Sequence, residues 1–368
     1  MDKMFDLILI GRGLSNLLFI SQYLKAHQNL KILILEKNKK IDERFISTWQ
    51  GPGLIDLKKE YNIFPIQSFN EISVSEKNNK IKRKIKPYKY QTYQYSEIIN
   101  ILLNQIKARR IKILYSEVSQ IKENKKYVSV STNKEIYKAK YVLNSSPRHE
   151  TNIDKTEPML YQYFIGTTIK KNKDHNIKEC QLMNFIQADK EIAFNYVIPL
   201  NHNSLLVETT AFGRLKNFDN LEKLHLISLT QYKTFKSLSV EKGIIPMSIS
   251  QSFKRTNRII PTGISGGFAR PSSGYLLLRA ATWAKESKNK NLNQIVFKEK
   301  IITHFLDKVF IKACYFYPDL APEIFMNLFN AKCIQSIIRF LADIPSYKDL
   351  LNLIKTTPKK IMIYALFK

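Results

Sequence analysis

Apolar residues near the start of the chain fall in continuous runs rather than in alternation. The first run, Asp6-Leu-Ile-Leu-Ile10, leads straight into Gly11-Arg12-Gly13-Leu14-Ser15-Asn16 and then an amphipathic stretch to about Ala26. A second run, Lys31-Ile-Leu-Ile-Leu35, ends in Glu36. Two such runs around a helix make a βαβ unit. Gly11 permits the tight turn, and Gly13 lets the backbone approach a pyrophosphate whose charge sits against the amides opening the helix. Glu36 is placed to accept hydrogen bonds from a ribose. Asn16 occupies the third glycine position of the fingerprint, so the context carries the assignment: strand before, helix after, acid about 25 residues on. The competing reading is a tight turn with a structural glycine pair.

Residues 37–89 alternate short polar and aromatic segments, with Thr48-Trp49 and Gly51-Pro52-Gly53 marking irregular backbone, and read as loop and edge strand. Ser96 is placed to cap a helix through about Lys107, since Ile98, Ile99, Leu102, Leu103 and Ile106 recur at helical spacing. Strand-like runs follow at 111–114, 118–121, 127–130, 136–138 and 141–143, a ribbon returning to a buried strand. Residues 161–210 are strand-rich, with 194–198 and 205–208 joined by Asn201-His202-Asn203 as a hairpin. Residues 221–235 read as helix and 244–249 as extended. Gly263, Gly266, Gly267 and Gly274 then gather several of only 11 glycines in a short span, as a second backbone approach to a ligand requires. A helix at 275–285 follows, and then helices at 294–315, 321–341 and 348–355, separated by Pro318, Pro322, Pro345 and Pro358. The expected fold is α/β: a Rossmann-type nucleotide-binding domain from 1–157 and 258–290, a mainly β substrate lobe at 158–257, and a C-terminal helical segment at 291–368.

Length and composition, 368 residues with 44% hydrophobic, allow a full core. Lys and Arg outnumber Asp and Glu by 59 to 31, a formal +28 that favours anionic partners. Much of that excess is Lys scattered among Asn and Ile, a pattern that biased base composition also produces. No basic run alternates with aromatics in a nucleic-acid-binding motif, so no nucleic acid is expected. Cys180, Cys314 and Cys333 form no CxxC and no Cys/His cluster, which points to a reducing cytoplasm and no metal site. The opening residues lack a cleavage site behind their apolar run and read as a strand rather than a signal peptide. No run reaches the length of a membrane span.

Among potential acids, Glu208 follows Leu205-Leu206-Val207 on a strand and precedes Thr209-Thr210. A carboxyl on an apolar strand is desolvated, which raises its pKa and suits a proton donor; simple alternation would instead turn it to water. Glu241, beside Lys242-Gly243, reads as a solvated turn. His27, His149, His175, His202, His225 and His304 show no ligand spacing and read as surface residues. No GxSxG elbow and no nucleophile-like Cys supports a hydrolase. Trp49, Phe164, Tyr196, Phe268, Tyr275 and Trp283 lie near the segments singled out and could be core or the lining of an aromatic cavity. Such a cavity beside a desolvated acid suits a reaction in which a cation forms in an apolar substrate.

At these residues the chain resembles the lycopene cyclases, flavoproteins of carotenoid biosynthesis. Asp6 to Asn16 is similar to the family's opening, where Asn commonly takes the third glycine position. Thr48-Trp49, Tyr163-Phe-Ile-Gly166, Tyr196 to Glu208-Thr209, Lys242-Gly243-Ile-Ile-Pro246, Gly267-Phe268 and Pro271-Ser-Ser-Gly-Tyr275 resemble further blocks in order. The resemblance implies acid-catalysed, non-redox closure of the ψ-ends of lycopene or a related linear carotene to β-rings, with reduced FAD assisting and NAD(P)H as electron donor. It implies that Glu208 is the acid or base, that Gly11, Gly13, Asn16 and Glu36 meet the ADP part of FAD, and that Gly266, Gly267 and Gly274 approach the flavin. Three positions depart from the family. Thr209 replaces a second acid, Arg270 a common His, and Asn144-Ser145-Ser146-Pro147 a segment often carrying Asp and Gly.

A hydrocarbon substrate gives the basic charge a use, because a positive surface docks on anionic lipid at roughly 1 kcal/mol per well-placed Lys or Arg. The resemblance thus implies a cytoplasmic protein, peripheral at the inner face of the membrane. Ile334, Ile337, Ile338 and Leu341, alternating with Lys332 and Arg339, could form the docking face or pack on their own domain. Two other readings share parts of this pattern. One is another FAD-dependent isoprenoid or aromatic oxidoreductase, which would consume reductant stoichiometrically. The other is a basic, non-catalytic membrane- or nucleic-acid-binding protein, which would bind no flavin.

Overall fold

A computed structural model describes residues 4–107, 110–146, 158–188, 191–232, 235–248 and 255–368. Pro147, His149 and Ile249 lie outside the described residues. The chain opens with β1 (Met4–Ile10), α1 (Leu14–Tyr23) and β2 (Ile32–Glu36). Next come β3 (Phe45–Gln50), α2 (Leu57–Tyr61), β4 (Gln67–Phe69), β5 (Glu71–Glu76), β6 (Asn79–Lys84) and β7 (Lys89–Gln94). They are followed by α3 (Tyr95–Ile106), β8 (Ile111–Tyr115), β9 (Val118–Glu123), β10 (Val128–Thr132) and β11 (Ile136–Asn144). The second half holds β12 (Met159–Lys171), β13 (Cys180–Ile186), β14 (Ile192–Pro199), β15 (Ser204–Gly213), α4 (Phe218–Thr230), β16 (Phe235–Ser248) and β17 (Ile259–Pro261). Six helices close the chain: α5 (Leu277–Ser287), α6 (Ile301–Phe316), α7 (Ala321–Phe329), α8 (Ile334–Leu341), α9 (Tyr347–Thr356) and α10 (Lys359–Leu366).

The first sheet runs β8-β2-β1-β11-β10-β9, with β17 also paired to β11. Its strands β8, β2, β1, β11 and β17 are parallel, and the β9–β10 ribbon is antiparallel. β1 is apolar throughout because both faces are covered: Leu7 and Leu9 join the core of α1 and α5, while Phe5, Ile8 and Ile10 join Val128 and Val130 of the ribbon. Every residue of α1 is buried. Trp283 of α5 lies 5.0 Å from the Phe19 ring and 4.9 Å from Phe268.

The second sheet, β16-β12-β15-β14-β13-β5-β6, corrects the expectation for residues 37–89. That segment is a small β3-β7-β4 sheet plus the β5–β6 hairpin, which joins the substrate lobe by a parallel β5–β13 pairing. Part of the 1–157 segment therefore belongs to the second sheet. Ile72 and Val74 alternate with polar residues, a strand signature too short to reveal a partner far along the chain. Other boundaries also shift. The runs at 136–138 and 141–143 are one strand, β11; the helix read at 294–315 begins only at Ile301; and 321–341 is two helices broken between Phe329 and Ile334.

Ile334, Ile337 and Ile338 are buried against the rest of the domain, and Arg339 is bound to Asp349, so the apolar side of α8 faces inward rather than toward a membrane. Among the described residues no helix is long and apolar enough to cross a bilayer.

Candidate active site

The carboxyl ends of β1, β2 and β11 open on a cleft of about 370 Å³, where open α/β sheets bind their ligands. Gly11 has φ +90°, and a Cβ there would lie 2.3 Å from Ser145 Oγ, which itself donates to the Ile10 carbonyl at 2.6 Å. Only glycine turns the chain here. Gly13 caps α1, and nothing lies within 4 Å of its Cβ position, so the backbone at this helix start is bare toward the cleft. Glu36 accepts from the backbone N–H groups of Arg12 (2.7 Å) and Asn38 (2.9 Å) and still lines the cleft. A carboxylate so held keeps acceptor capacity for a ligand hydroxyl. Asn16 is fully buried: its Nδ2 donates to the carbonyls of Ile10 and Gly11 at 2.9 Å, and its Oδ1 accepts from Thr262 at 2.7 Å. It ties the turn to β17 from behind the cleft.

The parallel β17 carries the glycine-rich segment to the same edge. Thr262 N donates to Asn144 O (2.8 Å) and Ser265 Oγ to Ser146 O (2.6 Å). Asn144, Ser145 and Ser146 therefore act as a seam between the two glycine segments. Gly266 packs on the Pro261 carbonyl, where a Cβ would come within 2.8 Å, and Gly267 ends the turn that follows. Gly274 lies apart from them, in the wall of a second cavity of about 360 Å³.

This second cavity lies between the β12–β15 region, the β3–β7 sheet, the start of α5 and the C-terminal helices. Its wall is mainly apolar and aromatic. Phe164, Tyr196 and Tyr275 line it, joined by Tyr90, Phe212 and Phe325, whereas Trp49, Phe268 and Trp283 are buried without lining it, Trp49 packing edge-on behind Tyr90 at 4.7 Å. Tyr90 had no sequence signal; it accepts from Tyr196 OH at 3.0 Å and lies 3.3 Å from Tyr275 OH, a phenol chain along one wall.

Glu208 faces into the cavity from β15, in register with Gly166 of β12 and Tyr196 of β14. Burial pushes its carboxyl up to about 7, against the pull of a 2.7 Å bond from Thr210 Oγ1. Thr209, one residue on, points to the opposite face. It is fully buried, donates to Asn195 Oδ1 at 2.9 Å and meets His225 Nδ1 at 2.9 Å. His225 is thus no surface residue: α4 packs it under the sheet, and burial pulls it down to about 4, so it is neutral.

Glu241 is also not in a solvated turn. β16 runs without a break from Phe235 to Ser248, with Gly243 making room for the Phe164 ring, and Glu241 pairs in register with Gly166. Glu208 and Glu241 thereby flank one glycine from opposite sides. Burial and then the Glu208 charge push Glu241 up to about 8, while the Phe45 backbone N–H and Arg44 pull it down. The missed signal is the alternation Ser239, Glu241, Gly243, Ile245, which continues one strand face through the Lys-Gly pair.

Behind Gly274, Arg270 is sealed from solvent. It binds Asp307 at 3.0 Å, reaches the Phe340 carbonyl and lies 4.0 Å over the Phe340 ring. The residue that departs from the family's histidine therefore clamps α6 and α8 to the glycine-rich segment.

A family model described as lycopene cyclase protein matches residues 6–363. No curated protein matches the chain. Solved structures share the fold at low identity. A geranylgeranyl bacteriochlorophyll reductase-like protein from Thermoplasma acidophilum has a TM-score of 0.70 at 13% identity, covering 99% of each chain. A flavoprotein/dehydrogenase from Cytophaga hutchinsonii has 0.60 at 13%, again covering 99% of each. p-Nitrophenol 4-monooxygenase from Pseudomonas putida has 0.59 at 13%, over 100% of this chain and 98% of the other.

Proposed function

Because the chain belongs to the lycopene cyclase family, we propose that it closes the ψ-ends of lycopene or a related linear carotene to β-rings, with Glu208 as the proton donor. The observation that carries this reading is a carboxyl aimed into an aromatic cavity, which burial raises to about 7. The Glu208 O–H proton adds to the terminal double bond and leaves a tertiary cation. The neighbouring double bond attacks it, forming the ring C–C bond, and loss of one proton from the adjacent ring carbon restores neutrality. One proton enters and one leaves, so the product is an isomer of the substrate. Tyr196, Phe164 and Phe212 line the cavity, where aromatic rings stabilise a migrating charge and exclude water that would trap it.

The cleft at Gly11, Gly13 and Glu36 fits the ADP part of FAD. The bare helix start at Gly13 leaves a cradle for the pyrophosphate, and Glu36 retains acceptors for a ribose. Asn16 supports that turn from behind; in this reading Gly266 and Gly267 lead toward the flavin end, and Gly274 approaches it from the wall of the second cavity. When bound, reduced FAD, with NAD(P)H as electron donor, would supply negative charge to stabilise the cation.

Membrane docking has support at a different surface from α8. Leu351 and Ile354 of α9, Ile363 of α10 and Phe367 just beyond it are exposed, beside exposed Lys355, Lys359 and Lys360. Ile354 and Met362 also line the cavity, so an apolar substrate leaving an anionic leaflet at the cytoplasmic face would meet its entrance there. Expression in bacteria that accumulate lycopene tests the whole reading. Conversion to γ-carotene or β-carotene is expected; unchanged lycopene alongside bound FAD would reject it in favour of another flavin reaction.

A further inference from the structure

We propose that Glu208 and Glu241 hold protons as one coupled pair, with Glu241 a positioning residue that keeps Glu208 supplied with a proton although it does not itself line the cavity. The role of Glu208 as acid rests on the proposed function; the pairing of the two carboxyls stands on the sheet geometry alone. β15 and β16 flank β12, and both glutamates register with Gly166. Their Cα atoms are two strand spacings apart, about 10 Å, on the same face of the sheet, and the residue between them has no side chain to separate them. A Cβ on Gly166 would lie 3.0 Å from Glu241 Cγ and 3.1 Å from its Oε1, so the Glu241 side chain leans over the bare glycine, closer than a methyl there would comfortably allow.

The rest of the surroundings leaves this proton little other company. Among the described residues, the groups bearing on the pair are Arg44 and the Phe45 N–H on the Glu241 side, and Thr210 and Tyr196 on the Glu208 side. Lys242 turns to the other face, to Glu222 of α4. His225 also lies on that face, bound to Thr167 and Thr209. Thr209 cannot be the site of a second acid facing the substrate, because its side chain is enclosed beneath the sheet. Glu241 provides a second carboxyl from β16, on the far side of β12 from Glu208 and outside the cavity wall.

Two adjacent carboxyls cannot both ionise freely, so the first proton leaves near the intrinsic value and the second is retained to higher pH. Between the two steps one proton is shared, and Glu208 can still present it. On the Glu241 side the Glu208 charge adds to burial in raising the carboxyl, whereas burial alone raises Glu208. After Glu208 protonates the substrate, its carboxylate is left beside a protonated Glu241 and accepts a proton from it. The proton lost from the ring carbon then restores the pair, and the cycle balances.

The test uses the full-length protein with lycopene in liposomes, comparing wild type with Glu241→Gln and Glu241→Asp. The expected result is that Glu241→Gln moves the alkaline limb of the rate profile down by about one pH unit, roughly a tenfold loss at pH 9 with little change at pH 6. Glu241→Asp should restore part of the shift. An unmoved limb in Glu241→Gln would overturn the proposal, and a uniform loss at every pH would assign Glu241 a merely structural role. Difference infrared spectra of the protonated carboxyl band, wild type minus Glu208→Gln, supply a readout independent of turnover. Wild type should lose the band in two steps and Glu241→Gln in one, at lower pH. A coupled titration in a protein that leaves lycopene unchanged would keep the pair and reject the cyclase reading; a single step in wild type would reject the pair.

Discussion

Arg270 Nε lies 3.0 Å from Asp307 Oδ2 with both side chains almost fully enclosed, and this contact helps join the glycine-rich segment to α6. Asp307 also accepts from Ser272 Oγ at 2.7 Å, inside the block that leads to Gly274. Breaking one side of a buried pair leaves an uncompensated charge, at about 3–5 kcal/mol. Arg270→His, the residue common in the family, is therefore expected to lower the denaturation midpoint markedly. Denaturant unfolding checks this; a variant as stable as wild type would show that the clamp carries no net stability.

The two glycines of the opening turn should respond in opposite ways. Gly11→Ala introduces a Cβ at a positive φ and drives it into Ser145 Oγ, and it should destabilise the fold by about 1–3 kcal/mol. Gly13→Val meets open space at an ordinary φ of −80° and should leave the fold largely intact, while filling the cradle and weakening flavin binding at least tenfold. Thermal unfolding and flavin absorbance of the purified variants separate the two effects.

How much of this was legible in the sequence depended on how local the cause was. The βαβ unit was readable because strands buried on both faces need unbroken apolar runs, and Gly11 with Gly13 answer to a turn made by their own neighbours. Glu208 was readable because Leu205 to Val207 announce a buried strand. Glu241 was not, because Lys242-Gly243 mimics a turn and its partner, Gly166, is far away in the chain. The β5–β6 hairpin was missed for the same reason: short alternation names a strand without naming the sheet it joins. The inward face of α8 shows the limit of amphipathicity, which marks an apolar side without saying whether protein or lipid covers it.

Thr210 donates to the charged form of Glu208 and so favours ionisation. Thr210→Val should raise the Glu208 carboxyl above about 7 and move the alkaline limb of the rate profile upward, the reverse of Glu241→Gln. The stability sign follows the same logic. Glu208 has a raised value in the folded state, so its contribution is fully present below the unfolded value near 4.5 and is lost as pH rises through about 7. Glu208→Gln should thus gain stability relative to wild type between pH 5 and 8, by up to about 3 kcal/mol. A constant difference across that range would contradict the raised value.

The basic, apolar rim of α9 and α10 makes a separate prediction. Lys355→Glu, Lys359→Glu and Lys360→Glu together should weaken sedimentation with phosphatidylserine vesicles by roughly 100-fold, at about 1 kcal/mol per site. Changing Lys332 near α8 should have a much smaller effect, because the apolar face there is turned inward. Equal binding by the triple variant would remove this surface as the docking site.

Proton donation by Glu208 is tested most directly by running the reaction in D₂O with lycopene and reduced FAD, and weighing the product by mass spectrometry. Wild type should add one deuterium for each ring closed, with no reductant consumed in proportion to product, and Glu208→Gln should bind flavin normally yet form no ring. Cyclic product from Glu208→Gln at the wild-type rate, or a product two hydrogens heavier formed at the expense of reductant, would contradict the account.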